Sequence, residues 1–322
     1  MALTLTEIQA VTDEYYLDKS VTDIYFKSNV LLWLLMGGEK GRTIVPGGTS
    51  IRVPLEYGEL PSQSFNASTL FNTDKAEVIN TAQFPWAAYQ STIVYDLDDN
   101  RENSGEAAIV DIVETKLRNA QKTIRKALAA AVYGSATIVG KDLLGLGDLF
   151  DRTETVPGTL DAYGGISETD MADWAAVTDA TAAVISFPTM QQIRRLGSID
   201  NDKEGKPNLY LTTEELKDAF EASLHQQARY SSSKLVEAGF DNIMFGGYPV
   251  VSDDAITAGT LYGLNTNFLD FATHKDYNFP KPTWREAAAN DPETMIAYEK
   301  WSGQLICKNR KAQVLRTGLT AS

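Results

Sequence analysis

The 322-residue chain holds one cysteine and two histidines. With Cys307 alone, no intramolecular disulfide can form, which excludes a disulfide-stapled secreted scaffold. A zinc site usually clusters His and Cys at tight spacing, and neither His225 nor His274 has such a neighbour. Long apolar runs are missing too. The most apolar stretch, Val30 to Met36, is seven residues, against the roughly 20 that a membrane-spanning helix needs. The opening MALTLTEIQAVTDEYYLDKS is polar and acidic, without the basic start and apolar run of an export signal. Positive charge is scarce: 29 Lys and Arg stand against 43 Asp and Glu, a net charge of −14. So acidic a chain is poorly suited to wrapping nucleic acid over its whole surface. At 43% hydrophobic and 22% charged, it has the composition of a folded protein, not of a disordered chain, collagen or coiled coil.

Familiar chemical motifs fail one by one. No G-x-S-x-G nucleophile elbow occurs. Asp96, Asp98 and Asn100 have calcium-loop spacing, but Arg101 takes the glycine position and Ala107 the closing glutamate position. Asp200, Asp202, Glu204 and Gly205 fit better, until Leu211 falls where the glutamate belongs. The glycines of GGEKGRT are not closed by G-K-[ST], so no phosphate loop forms. Cys307 reads as a small core residue, and the two histidines as surface or helix-face residues. No catalytic, metal or cofactor-binding residue is expected, and no cofactor.

What is present is a set of parts that need neighbours. Val30–Leu35 must be buried, as a short core helix or against another chain. Ile51, Val53, Leu55 and Tyr57 alternate with Arg52, Pro54 and Glu56, the pattern of a half-exposed strand. Pro54 cannot donate to a ladder, so the strand is an edge or protrudes. A polar tip over 59–74 and returning strands over 76–97 complete a long two-stranded extension, which is marginal alone. Residues 104–134 carry Ile109, Ile112, Leu117, Ile124 and Leu128 at helical spacing, predicting a spine of about 45 Å capped by Ser104 and ended by Gly134. Ile112, Leu117 and Ile124 are its expected core residues. A second helix opens at Pro188, carries Met190, Ile193 and Leu196, and stops at Gly197. Strand then helix follows over 205–224, with Thr212 and Glu215 as a capping box. A hairpin turns at Gly246-Gly247, and residues 260–271 and 294–316 read as strands. Negative charge concentrates in 135–298, with 12 basic and 25 acidic residues, ahead of a basic end. There Lys308, Arg310 and Lys311 are candidates for weak phosphate contact, although a strand edge explains them more simply.

In this order the chain resembles the tailed-bacteriophage major capsid proteins of the Hong Kong 97 fold. The resemblance runs from about Ser28 to Leu319. KSNVLLWLL followed by GGTSIRVPLEYG resembles the family's arm leading into its extended loop. DLDDNRENSGEAAIVDIVETKL resembles the entry to the spine helix; KPNLYLTTEEL, EAGFDNIMFGGYPVVSD and LYGLNTNFLDF resemble the distal domain. The resemblance implies an α+β fold with an N-terminal arm over 1–45, an extended loop over 46–95 and a peripheral domain over 96–206 with its spine helix. An axial domain over 207–285 and return strands over 286–322 complete it. It implies a structural protein, not an enzyme, that assembles as hexamers and pentamers into an icosahedral shell around a double-stranded DNA phage genome. The expected location is the virion capsid, assembled in the host cytoplasm, with no membrane partner and weak, non-specific contact with packaged DNA. The sequence shows no long scaffolding-like extension before the arm, so the expectation is that scaffolding is a separate protein, or that such a segment has been removed or was never there; a separate portal protein is expected as well. The family's lysine–asparagine crosslink has no matching motif here. Assembly contacts are expected at Ile51, Arg52, Val53, Leu55, Glu56 and Tyr57. Two alternatives stand beside this: an encapsulin-type compartment subunit of the same fold, and a carboxylate-based hydrolase using the acids of 142–179.

Overall fold

In the computed structural model, the described residues are 29–37, 42–56, 60–66, 70, 73, 75, 77–96, 112–151, 162–168, 171–199, 204–224, 242–288 and 291–321. Residues 1–28, Tyr57, the helix start 104–111, Asp98, Asn100, Asp200, Asp202 and His225 lie outside them, as do the side chains of Ile112 and Val113.

The apolar run forms α1 (Val30–Gly37). Val30, Leu31, Leu32 and Leu35 are buried and Trp33 is not, so this is a short core helix within the chain. Asn29 caps it, its side-chain oxygen accepting from the Leu32 amide at 2.8 Å. The spine is α2 (Ile112–Tyr133), about 33 Å long over its described turns. Ala120, Ile124, Leu128 and Val132 form its buried stripe. Leu117 departs from expectation: it is half-buried, packed against a small satellite of Ile93, Ala120 and Ala297. Asp253 joins three parts of the molecule. Its carboxylate accepts from the Val30 amide at 3.2 Å and the Tyr133 hydroxyl at 3.0 Å, tying α1 and the end of α2 to the loop at 253.

The spine lies on a five-stranded sheet made of β1 (Arg42–Val45), β4 (Ala87–Asp96), β11 (Leu269–Asn278), β12 (Arg285–Ala288) and β13 (Asp291–Cys307). The 17-residue β13 is its axis. One edge pairs with β4 from Thr294↔Asp96 to Gly303↔Ala87, and the other pairs with β11 and then β12. The expected returning strands over 76–97 therefore split in two. β3 (Ile79–Phe84) returns along β2 (Ile51–Glu56), while β4 turns away to join β13.

The second sheet has six strands in the order β5-β14-β10-β7-β9-β8. These are β5 (Val177–Asp179), β7 (Leu209–Thr212), β8 (Asn242–Phe245), β9 (Tyr248–Ser252), β10 (Leu261–Leu264) and β14 (Val314–Arg316). It takes β5 and β14 from outside 207–285, so no single continuous segment closes it. Central strands are buried on both faces, as helix-covered sheets require. Tyr210 and Val250 face a core with Met190, Ile193, Leu216 and Phe220 from two helices, α4 (Phe187–Leu196) and α5 (Glu214–Ser223). Leu209, Leu211 and Val251 face the spine-side core, which also holds the short α3 (Leu146–Phe150). The β8–β9 hairpin turns at Gly246 and Gly247, whose φ of 58° and 87° explain the glycine pair. A two-strand pair of β6 (Ala183–Val184) and β15 (Leu319–Thr320) closes the chain.

Two smaller expectations fail. Leu196 is exposed, because the buried face of α4 ends at Ile193. The capping box does not form: Thr213 precedes α5, and Thr212 is the last residue of β7, its hydroxyl donating to the Thr260 carbonyl at 3.1 Å.

Candidate assembly surface

The most distinctive feature is the β2–β3 extension. Its register runs from Ile51↔Phe84 to Glu56↔Ile79. Burial is graded along it. Ile51, Ala82 and Phe84 are buried at the root, and Val53 and Leu55 are half-buried further out. Arg52, Pro54 and Glu56 face solvent, as the alternation predicts. Beyond the strands the tip is not merely polar. Leu60, Phe65 and Leu70 are 68%, 72% and 91% exposed, and Ile79 at the outer end of β3 is 70% exposed, so large apolar side chains concentrate at the solvent-facing end of the extension. The Gln63 amide donates across this segment to the Leu70 carbonyl at 2.8 Å.

The root is held rigidly. Phe84 meets Tyr163 edge to face at 5.2 Å. Gly164, at φ 68°, lets the backbone come so near that a Cβ there would lie 3.1 Å from Ala82. Where β1 leads out into β2 and β3 returns into β4, the Trp86 indole donates to the Gly48 carbonyl at 2.9 Å and its ring meets His274 at 5.3 Å. His274 accepts from the Asp276 amide through Nδ1 at 3.1 Å, so it is a half-buried structural residue. A groove of about 250 Å³ opens beside the extension, lined by Leu55, Glu56, Met171, Asp173, Trp174, Lys308 and Asn309.

The basic group near the C-terminal end resolves into three different residues. Lys308 pairs with Asp270, and Lys311 with Asp173 at 2.7 Å, both at the surface. Arg310 is 1% exposed, which removes it from contact with phosphate. Its guanidinium donates to the Leu149 carbonyl at 2.8 and 2.9 Å and to Asp151 at 3.0 Å, and pairs with Glu168 at 2.9 Å. It also lies 5.1 Å from the Tyr163 ring and 6.0 Å from that of Trp174. Arg316, equally buried, pairs with Asp179. A signal was available: Arg310 and Arg316 share parity with Ala312 and Val314, which are also buried.

Cys307 is fully buried, and burial pushes its thiol up to about 12, so a thiolate nucleophile is not on offer. Asp148 is buried at the end of the spine. It accepts from the amides of Ala136 at 2.9 Å and Gly145 at 3.1 Å, yet burial outweighs these bonds and raises its carboxyl to about 6. Among the described residues no group of three or more His, Cys, Asp or Glu is placed to hold a metal. No described helix is long and apolar enough to cross a membrane.

No family model matches the sequence, and no curated protein matches it. Solved structures do. The capsid protein of cyanophage A-1(L) superposes with a TM-score of 0.67 over 97% of this chain and 99% of that one, at 16% identity. The fold is the Hong Kong 97-type capsid fold. The capsid of Myoviridae phage XM1 shares it at a TM-score of 0.60 and 11% identity, covering 95% and 97% of the two chains. So does the SrpI encapsulin of Synechococcus elongatus PCC 7942, at 0.57 and 12% identity over 100% and 98%. In Hong Kong 97 terms, β2–β3 is the extended loop and α2 the spine helix of this α+β fold.

Proposed function

We propose that this chain is the major capsid protein of a tailed phage, a non-catalytic subunit that assembles as hexamers and pentamers into an icosahedral shell around double-stranded DNA. The observation that carries this reading is the extended loop: a buried root and an outer end on which four large apolar side chains, Leu60, Phe65, Leu70 and Ile79, are exposed. An isolated chain gains nothing from that arrangement, and a neighbouring subunit would cover it. The strand residues Ile51, Arg52, Val53, Leu55 and Glu56, with Tyr57 beyond them, are the proposed assembly segment. The domain division into arm, extended loop, peripheral and axial parts follows from the same reading, as do separate scaffolding and portal proteins and assembly in the host cytoplasm. Net charge of −14 supports weak genome contact.

The encapsulin-type reading is favoured by one specific observation, the similarity to SrpI over both whole chains. Electron microscopy of the purified protein tests the shared claim. Closed shells of defined diameter are expected, and a chain that stays monomeric under all assembly conditions overturns it. Shells that capture a co-expressed enzyme in preference to DNA favour the compartment reading.

A further inference from the structure

Glu299 is an oddly placed acid. It lies on β13 between Ala297 and Trp301, on the face covered by the spine helix, and has no exposed surface. Opposite-strand residues Ile93 and Tyr89 share that face through the pairs Ala297↔Ile93 and Trp301↔Tyr89. Its one hydrogen bond comes from the Gln121 side-chain amide of α2 at 3.2 Å, and its Oε2 has no partner. The Trp301 indole N–H, two residues along, is likewise buried without an acceptor. An ionised carboxylate with one neutral donor and one bare oxygen is costly in such a place.

The charged and titratable groups around it do not offset that cost. On α2, the Lys116 ammonium donates to the Val94 carbonyl at 2.9 Å, and Arg125 lies over the Phe279 ring at 5.6 Å. Glu114 and Arg118 pair with each other, and Lys122 and Lys126 are on the exposed side. On β4, the Tyr89 hydroxyl accepts from the Leu143 amide, and the Tyr95 ring meets Trp284. Arg285 and Glu286 of β12 and Lys275 and Asp276 of β11 are exposed, and on β13 itself Tyr298 and Lys300 occupy the opposite, exposed face. Among the described residues no cation pairs with Glu299.

We propose that Glu299 binds a proton in the folded subunit, and that this proton couples the seating of the spine helix on β13 to pH. Neutral, the side chain keeps its Gln121 bond and leaves no charge under the helix. Ionised, it favours states in which water reaches the carboxylate, that is, states with α2 lifted from the strand. Burial pushes the Glu299 carboxyl above the ordinary range, and the Gln121 bond offsets part of this. The sign follows: stability from this group is full below the unfolded carboxyl value and is lost as pH rises through the folded one.

The proposal concerns the unassembled subunit, whatever it assembles into, so its failure leaves the shell reading untouched. Denaturant unfolding of the full chain and of Glu299→Gln is compared across pH. The ratio of the wild-type unfolding constant to that of the variant should rise by up to tenfold per pH unit above about 4.3, then level off past the folded value. A ratio independent of pH overturns the proposal. A second measurement covers a variant that does not fold. Infrared spectra of Asp148→Asn, which removes the other carboxyl that burial raises among the described residues, should keep a protonated-carboxyl band after exposed acids have ionised. Loss of all such absorption together with the exposed acids also overturns the proposal.

Discussion

Arg310 shows how a residue's surroundings override its type. An arginine beside two lysines reads as a surface cation, yet its planar fork satisfies the carbonyls left open at the end of α3 while Glu168 balances its charge. Burial lowers its pKa, and Glu168 opposes the shift. Replacing it with methionine takes the cation from the Glu168 carboxylate and the guanidinium donors from two carbonyls, so Arg310→Met should cost about 3–5 kcal/mol in chemical denaturation. Arg310→Lys should restore only part, because a point charge cannot fork. Asp148 is the second such residue. Its carboxyl is raised to about 6 in the folded chain against 3.8 ordinarily, so its stability contribution is full below about 3.8 and is lost as pH rises to about 6. Asp148→Asn should flatten that part of the stability–pH profile relative to wild type. A variant profile parallel to the wild type's across this range would refute the assignment.

At the scale of elements, the spine helix separates periodicity from burial. The helical spacing names Leu117 and Ile124 alike, but Ile124 is 2% exposed within the main core while Leu117 is half-buried. Ile124→Ala should cost about 2–5 kcal/mol and Leu117→Ala about 1–2, both read as shifts in denaturation midpoint at unchanged slope. Equal costs would mean the satellite around Leu117 packs as tightly as the core. The extended loop makes the complementary point. Its root residues Ile51, Ala82 and Phe84 are buried in the core, whereas Leu60, Phe65 and Leu70 of its tip are exposed. Deleting residues 59–74 should therefore leave a subunit of near wild-type melting temperature that cannot close shells, seen by calorimetry and electron microscopy. Normal shells from the deleted chain would show that the tip is dispensable.

For the whole molecule, the question is where charge can meet a genome. The two surface lysines of the basic group already answer acids, Lys308 with Asp270 and Lys311 with Asp173, and Arg310 is internal. Duplex DNA should bind the free subunit no tighter than the ~10⁻⁴–10⁻⁶ M of ordinary non-specific binding at physiological salt. Changing Lys308 and Lys311 to Gln should create no change in sequence preference in an anisotropy titration. Nanomolar, sequence-dependent affinity would contradict both the charge argument and the proposed role.

Local periodicity and turn chemistry were sufficient for a good part of this molecule. The β2 alternation, the body of the spine helix, the Gly246-Gly247 hairpin and the burial of Val30, Leu31, Leu32, Leu35 and Cys307 each depend on residues near one another in the chain. The order of those parts also sufficed for the resemblance to the capsid fold. Other features depend on contacts between distant residues, which no local pattern records. Tertiary pairing sent β4 to β13 instead of continuing the hairpin, and drew β5 and β14 into the second sheet. It buried Arg310 against Leu149 and Glu168, seated Asp253 between Val30 and Tyr133, and enclosed Glu299 beneath Gln121. A polar side chain's role is set by the donors, acceptors and charges that surround it, and those neighbours here come from up to 223 residues away.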